Sequence, residues 1–446
     1  MKMKTKHLLL LCFSAVALGF TACSSDDPPV TGTPAEIIPE NGVASVMQLD
    51  TLPLKVLSNV STAATTYTWE VNGVKKGTGE TFKLSSARTG TCTVLLTVSH
   101  PSTGEAAIRI KKTFIIMPRF ADGAFILNEG NAGNETGTLS YIDLRRHVAI
   151  DSVYQRVNGS KLGNVCQGLF IANQKMYIIS QNGAKNGGEG LLTIARANSL
   201  EKVKVYNNET LGGANPTNVA VVGDHIYLTT YNTGKLFHLS EANEKLTEIA
   251  GVSKVSKLPM VVIGKKLFAM GANCVYVVEG EECIATIPVA GKPSGIQKGG
   301  DGNLWLSYTS PGTICRINPK DYSVIASHAV TPAIQAGWGC APAFYLHKDQ
   351  VYFVSAGTKL YKHDFTANTT TPVMDLKTLI DSNIFYNGFG VDPVSGAKIY
   401  TAFSDYGKYK ENKTCLFDVE GSGGKKFFFD KLTAFPAGVF FTSSFQ

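Results

Sequence analysis

From residue 118 onward, apolar runs return on a period too long for a single helix or hairpin. The segments AFILNEG, MYIISQN, IYLTTYN, LFAMGAN, LWLSYTS, VYFVSAG and IYTAFSD align without gaps. Each has an aromatic residue second: Phe125, Tyr177, Tyr227, Phe268, Trp305, Tyr352 and Tyr400. They stand 37 to 52 residues apart, the spacing of β-propeller blades joined by loops of variable length. A second alternating run follows each, as in GTLSYIDL, GLLTIARA, GKLFHLSE, GTICRINP and TKLYKHDF, and usually a third, such as VAIDSVY or KVKVY.

Six of the seven are preceded by a strand that opens on a Pro or Gly turn: NVCQGLFIA, NPTNVAVVG, LPMVVIG, PSGIQKGG, APAFYLHK and NGFGVDP. AFILNEG has none. The carboxyl end, FPAGVFFTS, has the same opening and apolar run with nothing after it. The two deficiencies match, so the last strand is expected to be the innermost strand of the first blade, closing a ring of seven. Closure gives both ends a sheet partner and removes two unpaired backbone edges. A solenoid would need capping and no such exchange.

Ahead of the repeat, residues 37–117 alternate in short runs: VMQLDTLPLKV, TTYTWEVNGV, ETFKLSS, GTCTVLLTVSH and AAIRIKKTFII. Val71-Asn72-Gly73-Val74 is a hairpin signal. Trp69 facing the TVLLTV run suits a sandwich. The expected fold is all-β, a small sandwich followed by a seven-bladed propeller over 118–446. The block TYTWEVNGVKKGTGETFKL with GTCTVLLTV resembles PKD and related immunoglobulin-like modules, with Cys92 where an aromatic residue is commoner; the resemblance implies a spacer.

The first residues read as a leader. MKMKTKH is basic, LLLLCFSAVALGF is apolar but short for a membrane span, and FTAC puts small residues before a cysteine. This reads as a secretory signal over 1–22. The run Phe20–Cys23 resembles a bacterial lipobox, which implies lipid attachment at Cys23, with 23–36 (including DDPPVTGTPAE) as a tether; Ser24, Ser25, Asp26 and Asp27 look like an acidic surface-export tag of Bacteroidetes. The formal net charge is +7, and removing Lys2, Lys4 and Lys6 leaves +4 (7 − 3), too mild and scattered for nucleic acid. Of nine cysteines, those after Cys23 form no CxxC pair, so no zinc ribbon is indicated. Cys274 and Cys283 could face each other across a hairpin, as a disulfide or as two buried small apolar groups.

In a four-stranded antiparallel blade, the loop leading into the inner strand and the loop between the second and third strands emerge on one face. There the sequence places Asn128, Glu129 and Asn131; Asn164 and Gln167; Gln181, Asn182 and Asn186; Asn215 and Asn218; Tyr231 and Asn232; Tyr308; Trp338; Tyr386, Asn387 and Phe389; Asp405 and Tyr406. Amides and rings supply hydrogen bonds and stacking without fixed charge, suited to a large neutral ligand. Asn is equally a turn residue that serves its own backbone, and Trp338, between glycines in AGWGCAPAF, reads either as an exposed indole or as a core tryptophan. The opposite loops, VVGDHIY, IGKKLF, GGDGNLW, HKDQVY and PVSGAKIY, are short turns with charged tips.

Motifs of catalysis are missing: no GxSxG elbow, HExxH, Walker loop or dinucleotide fingerprint follows a strand. The histidines are dispersed, with His225 and His347 in charged-face turns and His238 and His363 in third-position strands, so no pair is set for a base or metal role. Inner-strand openings carry no Asp or Glu to hold a divalent ion; neither a metal nor a cofactor is expected.

Taken together, the Cys23 segment, the PKD-like block and NPTNVAVVGDHIYLTTYNTGKLFHL with its repeats resemble Bacteroidetes surface lipoproteins built on the YVTN or lactonase-like propeller. The resemblance implies an outer-membrane, exterior-facing lipoprotein that captures a large ligand, a corrinoid such as cobalamin foremost, and hands it to a TonB-dependent transporter. A protein-interaction or adhesion propeller, and a hydrolase or lyase, remain open alternatives.

Overall fold

A computed structural model describes residues 35–57, 65–100, 106–212, 214–230, 232–355, 357–382, 384, 386–418 and 424–445. The leader, Cys23 and nearly all of the tether lie outside the described residues. Two sheets form the first part. Glu36–Pro39, Thr51–Leu57 and Thr81–Ser85 make one; Ser45–Met47, Ile108–Met117, Gly90–Ser99, Thr66–Val71 and Val74–Thr78 make the other. They share one core, in which Trp69 is fully buried, stacks on Phe82 and donates its indole N–H to the Gly79 carbonyl at 2.7 Å. The turn between Thr66–Val71 and Val74–Thr78 has Asn72 at φ 49° and Gly73 at φ 80°, the two left-handed residues of a tight hairpin.

From Ala124 onward the chain folds into seven four-stranded antiparallel sheets. The seven recurrent aromatic residues each occupy the second strand of a blade and are all buried. The inner strands are Cys166–Ala172, Pro216–Val222, Val261–Ile263, Pro293–Lys298, Tyr345–His347 and Phe389–Val391 for blades two to seven.

Blade one takes its inner strand, Pro436–Phe441, from the carboxyl end. That strand pairs antiparallel with Ala124–Asn128, with Val439 opposite Ile126 and Phe441 opposite Ala124. It also has the bulge of its counterparts: the ladder skips Ala437, as it skips Gln167, Thr217 and Ser294. Inner strands crowd one another around the axis. A Cβ on Gly390 would come 2.7 Å from the Val439 side chain, and one on Gly168 would come 2.8 Å from Asn218 Oδ1, so only glycine lets the backbones approach this closely.

The sandwich docks on the charged-turn face of blades one and two. Arg119, with its side chain 2% exposed, ion-pairs with Asp50 and donates to the Gln48 carbonyl at 2.7 Å. Gln48 is buried and reaches the Ser199 carbonyl at 2.9 Å, while Glu201 accepts from the Thr89 amide at 3.0 Å.

Two sequence expectations need correction here. Cys274 stands opposite Pro288 and Cys283 opposite Val278, so they do not face each other, and both are free and half-buried. The histidines are not all apart: adjacent strands bring His225 Nδ1 within 3.0 Å of His238 Nε2, and His238 meets Glu281 at 3.1 Å.

Candidate ligand-binding face

The loops leading into the inner strands converge on the face opposite the sandwich. One of the two longest runs from Val330 to Phe344 between blades five and six. Its Cys340 Sγ lies 3.4 Å from Gln167 Oε1 and 3.3 Å from the Thr217 carbonyl oxygen. Gln167 and Thr217 are the bulged residues at the starts of the inner strands of blades two and three, across the ring from blade six. The loop therefore crosses the axis and closes its mouth. Cys340 is buried there, and burial pushes its thiol pKa up.

Beside this plug sits Glu129, at the end of blade one's second strand. Burial raises its carboxyl to about 7, against the lowering effects of hydrogen bonds from Gln167 and Tyr386 and of the nearby Lys257 charge. Tyr386 Oη lies 3.3 Å from each carboxylate oxygen. Desolvation outweighs the favourable partners, so Glu129 exchanges its proton near neutrality.

Trp338 crowns the plug with 73% of its surface exposed. Its peptide is clamped by Asn387, which accepts from the Trp338 N–H at 3.0 Å and donates to the Trp338 carbonyl at 2.7 Å. Asn387 adopts φ 45° to do so, a left-handed conformation that asparagine tolerates better than most residues. Alongside, Phe435 gathers four rings: Tyr409 stacks on it at 4.2 Å and Tyr406 at 6.4 Å, while Tyr386 and Phe403 meet it edge-on. Tyr406 is 58% exposed.

The structure divides the sequence candidates. Glu129, Trp338, Tyr386, Asn387 and Tyr406 come together on this face. Asn182 is exposed there but bonds Asn164 Oδ1 at 2.7 Å. Gln181, Asn215 and Asn232 are half-buried or exposed, on the side of blades two and three. Tyr231 lies outside the described residues.

Five others are internal and correct the sequence expectation. Asn128 is fully buried, donating to Thr138 and accepting from the Ala434 amide. Asn164 holds the Asn131 and Glu135 carbonyls. Asn218 donates to the carbonyls of Lys257 and Leu258, tying blade three to blade four. Tyr308 packs in the core with its hydroxyl 3.1 Å from Cys315 Sγ, and Phe389 is 2% exposed. For the three asparagines and Tyr308 the groups suited to a ligand already serve the protein; Phe389 keeps only an edge of its ring on a cavity between blades six and seven.

Sequence reasoning placed Gln167 on this face but missed the roles of Lys257, Cys340, Tyr409 and Phe435. Lys257 and Phe435 immediately precede inner-strand openings, LP and PAG, so aligning the openings themselves would have found both. Among the described residues, no group of three His, Cys, Asp or Glu side chains is placed to hold a metal ion.

The family model described as a domain of unknown function, DUF5074, matches residues 122–442, the span of the blades. No curated protein matches the chain. Among solved structures, the chain is similar to a quinonprotein alcohol dehydrogenase-like protein from Bacteroides thetaiotaomicron, at 14% identity and a TM-score of 0.57, over 89% of this chain and 96% of that one. It is also similar to a periplasmic gluconolactonase from Pseudomonas aeruginosa, at 14% identity and a TM-score of 0.48, over 72% and 99%. At this identity the likeness to the first is one of fold, a β-propeller.

Proposed function

The chain belongs to the DUF5074 family, and on that footing we propose that it is a non-enzymatic capture protein, lipid-anchored at the cell surface through Cys23. It holds a large uncharged nutrient on the Trp338 face, with a corrinoid such as cobalamin as the first compound to test, and passes it to a TonB-dependent outer-membrane transporter. The single observation that carries this reading is the clamped, 73% exposed Trp338 beside the ring cluster around Phe435. A group of rings gathered on one surface marks an interaction site. The plugged axis favours a ligand lying across the face over one threaded into a channel. The sandwich occupies the opposite face, which leaves the Trp338 side clear.

Titration calorimetry of the mature chain, with Cys23 replaced, against cyanocobalamin tests the reading. One-to-one binding supports it, and a flat trace removes the corrinoid.

One observation favours a second reading. A carboxyl that titrates near 7 beside a phenol is suited to general-base chemistry, so a hydrolase or lyase centred on Glu129 is the alternative. Turnover of a lactone that Glu129→Gln abolishes would establish it.

A further inference from the structure

Between blades six and seven the face is indented by a cavity of ≈ 250 Å³. The Gln335–Ala343 stretch forms one side, with Trp338 on it, and Val354, Ser355 and Gly357 contribute another. Tyr345 and Phe389, whose rings meet edge-on at 5.6 Å, complete the lining. None of its described lining residues is Asp, Glu, Lys, Arg or His.

Three features narrow the occupant. Pockets that engulf a whole drug-sized ligand hold roughly 300–1,000 Å³, so this one takes a part of a larger molecule. A charged group would lose its hydration with no counter-charge to meet it. A purely aliphatic group would leave the Tyr345 hydroxyl unmatched, because that hydroxyl makes no hydrogen bond among the described residues. Burial raises the Tyr345 pKa, which keeps the phenol protonated and able to donate. The Trp338 indole, carried on a peptide that Asn387 clamps, offers a stacking surface at the rim.

We propose that this cavity is a subsite for an uncharged planar ring bearing one hydrogen-bonding group, which stacks on Trp338 and meets the Tyr345 hydroxyl. As part of a captured nutrient the ring rests on the function proposed above; as a binding site the cavity stands without it.

The test uses phenol, toluene and benzoate, three probes of similar shape that differ in polarity and charge, read by the indole N–H signals of the mature chain. The protein has three tryptophans. Trp69 and Trp305 are buried with their indoles bonded to Gly79 and Asp301, so the Trp338 signal reports the cavity. Phenol should move that signal saturably, toluene about fivefold more weakly, and benzoate not at all. Tyr345→Phe should bring phenol down to the toluene level, and Ala343→Leu should weaken both by narrowing the space.

A Trp338 signal that ignores phenol, or a phenol preference that survives Tyr345→Phe, overturns the assignment. A parallel titration with cyanocobalamin separates the two readings. If cyanocobalamin binds and phenol does not, the subsite fails while capture stands; if phenol binds and cyanocobalamin does not, the subsite stands without the corrinoid.

Discussion

The hydroxyl of Tyr386, just ahead of the inner strand of blade seven, lies 3.3 Å from both carboxylate oxygens of Glu129, at the end of a strand in blade one. The contact bridges blades seven and one, and it depends on the proton state of one half-buried acid.

That coupling sets a pH dependence. Glu129 has a folded pKa of about 7 against an unfolded value near ~4.3. Its protonated form is favoured in the fold, so its contribution is complete below the unfolded value and fades as pH rises through 7. Between pH 4 and 8 the loss should be about 3 kcal/mol. Denaturant unfolding across that range should show the decline in the wild type and a flatter profile in Glu129→Gln.

Removing the last twelve residues, FPAGVFFTSSFQ, deprives Ala124–Asn128 of its inner partner and strips Val439 and Phe441 from the core they share with Ile126 and Ile399. Cooperative melting of the blades should be lost. Val439→Asp is the gentler version; an unpaired charge at a position 2% exposed should cost at least about 3 kcal/mol. Calorimetric melting of both variants checks the expectation, and unchanged transitions would refute closure.

The sandwich should melt together with the blades as long as Arg119 holds Asp50 and Gln48. Arg119→Ala leaves the Gln48 carbonyl without its donor and breaks a pair with one buried partner, a loss of about 3–5 kcal/mol for a fully buried pair and less here because Asp50 is half exposed. Scanning calorimetry should show one transition in the wild type separating into two in the variant.

The repeat was legible because propeller blades reuse one requirement, a buried aromatic residue near the start of the second strand, and that requirement is periodic. Ring closure was legible because Phe435-Pro436-Ala437-Gly438 repeats an opening whose partner was missing at Ala124. The site was less so. Asn128, Asn164 and Asn218 look like surface amides in sequence, yet each caps backbone groups between blades, a use that depends on neighbours distant along the chain. Cys340 carried no local signal, since its role comes from a loop crossing the axis to residues 123 and 173 positions away. Trp338, between glycines, fits either an exposed or a core indole in sequence; the fold decides for exposure, at 73%.

The most direct test of capture on this face compares cyanocobalamin titrations of three proteins: the mature chain, Trp338→Ala, and Val394→Ala on the opposite face, where Val394 is 71% exposed. All three should be equally stable, since neither side chain is in the core. The mature chain should bind one-to-one, with binding that Trp338→Ala weakens at least about tenfold, an aromatic anchor's contribution, and that Val394→Ala leaves intact. Binding that tolerates Trp338→Ala and fails in Val394→Ala would contradict it.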